Sequence, residues 1–160
     1  MYLSGVKATA SFTPAAAAYS AADIISTAKE FIFYDNRGTI VPQGAIIRVV
    51  SSVIKIDQAA VISGETSYSL ALYSLTPPSA QADNAAWTLA SADLPSYRGT
   101  LSLGAPVDLG AACYVKTQYS DQQDFSLASG KSSLFGELIT AGAATFTAVA
   151  REILLYGVVL

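Results

Sequence analysis

The chain contains no histidine. That removes the usual general base near neutral pH, the Ser-His and Cys-His routes to an activated nucleophile, and the commonest metal ligand. It has one cysteine, Cys113, so no intrachain disulfide forms and no zinc site of the usual kinds can be assembled. Cys113 lies in the apolar run AACYV, where a free thiol behaves as a small buried hydrophobe. Charge is also scarce, at 13% of residues against roughly a quarter in ordinary globular domains. The nine basic residues are scattered singly and the net charge is −3. No basic stripe exists to neutralise a run of phosphates, so no nucleic-acid partner is expected.

Long apolar runs are missing too. Leu138–Ala150 and Ile153–Leu160 are too short to cross a bilayer as helices, so no membrane partner is expected. The segment after Lys7, ATASFTPAAAAYSA, has no Leu or Ile block to serve as the apolar region of a signal peptide, and the chain reads as soluble. What is abundant is small residues and apolar ones, the latter 52%. A full apolar quota with so little charge suggests a surface covered in part by a partner or by further copies of the chain.

The periodicity is that of strands. GAIIRVVSSVIKID, Gly44 to Asp57, is rich in β-branched residues, and SYSLALYSL, Ser67 to Leu75, alternates with a period of two until Thr76-Pro77-Pro78 ends it. Further strands are expected at 2–9, 23–34, 97–103, 111–119, 123–128, 132–140 and 143–159. Both faces of Ile153–Val159 are apolar, which predicts a central strand covered on each side. No amphipathic helix of three turns is present. Eight or nine short strands in 160 residues predict one all-β domain, an antiparallel β-sandwich of jelly-roll-like form, with a simple closed barrel as the runner-up. One or two short helical turns are expected besides.

Residues 1–22 read differently. SFTPAAAAYSAAD is Ala-rich, carries a proline and shows no periodicity, so residues 1–22 are expected to form an extended N-terminal arm beside a domain at 23–160. Such an arm could reach a neighbouring subunit through Tyr2, Leu3, Phe12 or Tyr19. With Trp87 and Tyr97 these are the candidate interface residues.

Motifs for chemistry are absent. In SGKSS, Ser129 to Ser133, the position five before the glycine is Phe125 where a phosphate-binding loop needs glycine, and the following LFGELI reads as strand. Asp35-Asn36-Arg37-Gly38 places Arg37 where a calcium loop needs an oxygen ligand. The few acids lie mostly beside turns and read as solvated loop residues rather than as a paired glycosidase site. No catalytic residue, metal site or cofactor is therefore expected. Nine tyrosines and Trp87 keep a carbohydrate-binding platform open as a minor alternative.

Three stretches carry a likeness: YSAADIISTAKEFIF from Tyr19, ALYSLTPPSAQADNA from Ala71, and DNAAWTLASADLPSYRGTLSL from Asp83. With the apolar C-terminal strand, this pattern resembles small jelly-roll-like proteins of tailed-bacteriophage structural modules, the capsid decoration or cement proteins. It runs from Ala18 to about Leu103 and again near Thr145–Leu160. The resemblance implies a non-enzymatic virion protein, made in the host bacterial cytoplasm, that binds the outer face of the head lattice and stabilises it. The major capsid protein would be one partner and further copies of the chain another, a trimer being preferred to a dimer. Another virion component, such as a head-fibre base, tail or adaptor protein, is the alternative.

Within Ala82–Gly99 the lone tryptophan stands among small residues. Trp87 and Leu89 share one face of a brief extended piece, and Ser91 could cap a single helical turn with Asp93 inside it. Trp87 is thus expected to plug one end of the sandwich beneath a short helical lid.

Overall fold

The computed structural model describes residues 5–76, 79 and 82–160. Tyr2, Leu3, Pro77 and Pro78 lie outside the described residues. The chain is an antiparallel β-sandwich, and no helix occurs among the described residues.

Eight long strands build it: β1 (Gly5–Phe12), β3 (Ile24–Ile32), β5 (Ile46–Ile56), β6 (Tyr68–Tyr73), β7 (Tyr97–Gly104), β9 (Cys113–Ser126), β10 (Ser133–Thr140) and β12 (Arg151–Val159). Four two-residue strands join them: β2 (Ala18–Tyr19), β4 (Tyr34–Asp35), β8 (Val107–Asp108) and β11 (Ala144–Thr145). The large sheet runs β4-β1-β12-β5-β9-β8, the small one β3-β10-β6-β7, and β2 pairs with β11. Counting only the long strands, the two sheets read 1-8-3-6 and 2-7-4-5, the interlocked order of a jelly roll.

The facing sides of the two sheets hold the core. Phe12, Ile54, Ile153 and Leu155 from the large sheet meet Phe31, Leu70, Leu101, Leu134 and Leu138 from the small one, all essentially inaccessible. Both open sides of the sandwich are drawn together. On one, β1 lies beside β3, with Phe12 and Phe31 ring centroids 6.1 Å apart. On the other, β9 reaches the edge of β7 with side chains: Thr117 Oγ1 donates to Leu103 O at 2.8 Å, and Tyr119 Oη to Ser102 O at 2.9 Å. Those bonds occupy carbonyls that an open edge would leave to a foreign strand.

Several expectations need correction. Residues 5–12 are no arm: β1 pairs along its whole length with β12 and also holds β4, and it buries Val6, Ala8 and Phe12. Lys7, Thr9 and Ser11 alternate outward, so the period of two is present, and the strand expected at 2–9 is found as β1, running on to Phe12. The expected strands at 111–119 and 123–128 are one strand, β9, whose pairing with β5 skips from Gln118 to Gln123 opposite Ser51 and Val49. The expected strand at 143–159 is β11 plus β12. β12 is central, between β1 and β5, but the second sheet covers only one of its faces; Glu152 and Tyr156 on the other are half-exposed. The segment 91–96 is a series of turns with no regular helix; Ser96 N–H and Tyr97 N–H both donate to Asp93 O, each at 3.0 Å, the second closing a single helical turn.

Candidate interaction surface

The jelly roll leaves the outer face of the small sheet to be covered by the connection between β6 and β7. Small residues make that possible. Ala71 on β6 gives a shallow floor, onto which Trp87, Leu89 and Tyr97 pack together with Tyr73, Phe135 and Ile139. Trp87 is only half-buried, and its ring lies 6.5 Å from that of Tyr97. It therefore lies over a sheet face and does not plug an end of the sandwich beneath a helical lid. The indole N–H points inward, donating to Glu137 Oε2 at 3.0 Å and to Tyr73 Oη at 3.2 Å.

The strap that carries Trp87, residues 82–96, is tied down at its start by an exchange of backbone hydrogen bonds with residues 22–26. Asn84 N donates to Ile24 O, Ile24 N to Ala85 O and Trp87 N to Ala22 O, each at 2.9 Å, with Asp23 and Ala86 forming an antiparallel bridge. Asp83 adds a clasp. Its Oδ1 accepts from Tyr19 Oη at 2.7 Å and from Ser26 N at 2.5 Å, and its Oδ2 accepts from Ala15 N at 3.0 Å. Burial, then the Asp83 hydrogen bond, pushes the Tyr19 phenol up to about 12. Among the described residues the non-glycine positions of positive φ are Ala22, Ser26 and Asn84 at 62–68°, all in this clasp. Left-handed backbone at Ala and Ser is costly and persists where surrounding bonds over-determine it.

The six candidate interface residues separate accordingly. Tyr2 and Leu3 lie outside the described residues. Phe12 and Tyr19 are buried, at 0% and 3% exposure, so neither ring is available to a partner from this fold. Trp87 and Tyr97 are brought together, and both are half-exposed. Two apolar patches were not anticipated. One surrounds a cavity of about 460 Å³ bordered by Leu75, Ala92, Pro95 and Leu127, with Leu94 standing 60% exposed on the adjoining turn. The other is a cavity of about 520 Å³ beside the β8–β9 hairpin, where Leu109 is 67% exposed.

Acids beside turns are not all solvated. Asp23, Glu65 and Asp93 are buried, as is Glu137 within β10. Glu65 Oε1 meets Arg151 Nη2 at 3.0 Å, both side chains fully inaccessible. Tyr68 O–H also donates to that oxygen, and Ile62 N–H donates to Oε2 at 3.1 Å. The Arg151 guanidinium further donates to Val149 O at 2.5 Å and lies 4.7 Å over the Phe146 ring. Every partner here is satisfied, and the group welds β12 to the loop before β6 as internal structure. Asp35 is a turn residue: its Oδ1 accepts from Arg37 N and Thr39 N, each at 2.8 Å. Ser129–Ser133 leads into strand β10, as LFGELI predicted. Cys113 is buried, and burial pushes its thiol up.

Among the described residues no group of three or more His, Cys, Asp or Glu could hold a metal ion, and no helix is long and apolar enough to cross a membrane. Comparison with protein-family models and with curated proteins finds no match to this chain.

Proposed function

We propose that this chain is a non-enzymatic structural protein of a tailed-bacteriophage virion, a decoration protein that binds the outer face of the head lattice and stabilises it. The observation that carries this reading is the meeting of YSAADII and DNAAW. These two segments, which underlie the resemblance, are sixty residues apart in the chain yet form one hydrogen-bonded unit. In this chain the two segments that carry the resemblance form one clasp, held by Asp83 and by backbone at positive φ.

The surface supports the same reading. Adhesion to a lattice needs rigidity, covered sheet edges and patches of uncharged surface, and it multiplies modest contacts through avidity. The Leu75/Leu94 and Val107/Leu109 patches and the half-exposed Trp87–Tyr97 pair are surface of that kind. The partner would be the major capsid protein, with further copies of the chain as a second contact.

The test is direct. Purified protein is mixed with mature heads that lack it, and the heads are sedimented and heated. The protein should co-sediment and raise the temperature at which heads disrupt; failure to bind heads overturns the proposal. Binding to tails or to neck complexes instead would assign the chain to another part of the virion.

A further inference from the structure

The strap over the small sheet closes onto a carboxyl group that the proposed function does not use. Glu137 sits mid-strand in β10, inside the otherwise apolar run LFGELI, and is 1% exposed. Its Oε2 accepts from Trp87 Nε1 at 3.0 Å and from Tyr73 Oη at 3.1 Å. Its Oε1 is buried and has no hydrogen-bond partner among the described residues.

That asymmetry distinguishes the two protonation states. A neutral carboxyl leaves one hydroxyl without a protein partner in the buried site, whereas a carboxylate leaves there half of a full charge, and the second is far more costly. Among the described residues no lysine or arginine ion-pairs with Glu137. From the strap comes Asp93, itself 1% exposed, whose charge opposes ionisation of Glu137. From β6 comes the Tyr73 phenol and from β7 that of Tyr97, the two rings 5.6 Å apart. On β3, Lys29 and Glu30 stand opposite Gly136 and Phe135, and Glu30 accepts from Ser133 Oγ at 2.6 Å, toward the far end of β10. Desolvation first, then Asp93, raises the Glu137 carboxyl above its ordinary 4.5, against the pull of the Tyr73 and Trp87 hydrogen bonds.

We propose that Glu137 is a proton-operated latch: neutral, it can stay buried beneath the strap 82–96, and loss of its proton loosens that closure because the charge regains water when the strap lifts, a gain that outweighs the stronger Trp87 and Tyr73 hydrogen bonds to the carboxylate. The sign follows from the raised carboxyl. Its stabilisation is complete below the ordinary glutamate range and is lost as the pH rises through the higher folded value. Loosening lifts the middle of the strap, between its Asp83 clasp and the Ser74 N–H to Ser96 O bond at 2.8 Å, and uncovers Ala71, Tyr73, Phe135 and Ile139.

Trp87 is the only tryptophan, so its emission reports on the latch without interference. The intact chain is titrated from pH 3 to pH 8, following emission alongside amide hydrogen exchange across residues 83–96. One reversible emission transition is expected, with a midpoint above 4.5, accompanied by faster exchange in the strap once intrinsic rates are corrected. A midpoint one pH unit above the ordinary value corresponds to closure about tenfold weaker in the ionised state. In E137Q the transition should vanish while far-ultraviolet circular dichroism stays that of a β-protein. If E137Q does not fold, D93N serves, and removal of its charge should move the transition to lower pH. A flat titration, a transition retained in E137Q, or one unmoved in D93N overturns the latch.

Discussion

The buried Arg151–Glu65 pair offers the sharpest test of how this sandwich is held together. Arg151→Met keeps most of the side-chain volume and removes the charge. Glu65 would then stand with a full charge at zero side-chain exposure, retaining only the Ile62 amide and the Tyr68 hydroxyl. Breaking a buried pair from one side costs about 3–5 kcal/mol, a large share of the roughly 5–15 kcal/mol that stabilises a typical domain. Loss of the Val149 bond and the stacking on Phe146 acts in the same direction. With a urea slope of about 2 kcal/mol per molar, the midpoint of unfolding should fall by about 1.5–2.5 M. Glu65→Gln should cost a similar amount, because it strands the guanidinium.

The double variant separates pairing from mere packing. Removing both charges leaves no orphan, so R151M/E65Q should be less destabilised than the two single variants together, with a coupling of about 2–3 kcal/mol. The assay is equilibrium urea unfolding followed by circular dichroism, with slopes compared to check two-state behaviour. Single losses below about 1 kcal/mol, or costs additive to within about 0.5 kcal/mol, would refute the claim that the pair acts as one buried unit.

Three further outcomes follow from the same structure. Deleting residues 1–22 should abolish folding, since it strips β1 from the large sheet and removes Phe12, which alone is worth about 3–5 kcal/mol; a folded truncated domain seen by circular dichroism would restore the arm reading. Gly64→Ala should cost about 2–4 kcal/mol, because Gly64 has φ +86° and an added Cβ would lie 2.1 Å from Ala143 O, whereas Gly38→Ala, at φ +81° in open space, should cost only about 1–2 kcal/mol; equal thermal shifts would contradict this. Asp83→Asn removes the charge that helps keep Tyr19 protonated, so in an alkaline absorbance titration one phenol should move down from about 12; because the phenol is raised in the fold, its stabilisation is full below pH 10 and is lost as the pH rises through 12.

The strands were legible wherever large residues carried the period of two. Gly44–Asp57 and Ser67–Leu75 announce β5 and β6 because Ile, Val, Leu and Tyr occupy alternate, core-facing positions. β1 follows the same rule with Val6, Ala8 and Phe12 inward, so the strand expected at 2–9 meets its first half, while Ala10-Ser11-Phe12 runs on into an Ala-rich stretch with little contrast. β1 also lies beside β3 across the open side of the sandwich, so residues 5–12 belong to the domain and not to an arm. In β9 the polar stretch between Gln118 and Gln123 breaks the apolar pattern into the two strands expected at 111–119 and 123–128, yet the strand continues through it, its register against β5 slipping there instead.

The polar anchors were hidden for a different reason: their partners are far away in the chain. Asp83 draws on Ala15, Tyr19 and Ser26, and Glu65 on Arg151, eighty-six residues on. No local pattern around Asp83 distinguishes a clasp from an ordinary loop acid. Glu137 did leave a trace, since a lone carboxyl inside SLFGELIT has no solvated face to occupy in a covered strand. A buried acid of that kind needs donors brought to it, and the largest donor-bearing aromatic in the chain is Trp87. The small residues around the tryptophan then have a physical reason. They let the strap lie flat enough on Ala71 for the indole N–H to reach the Glu137 carboxyl beneath it, so the acid and the tryptophan account for each other.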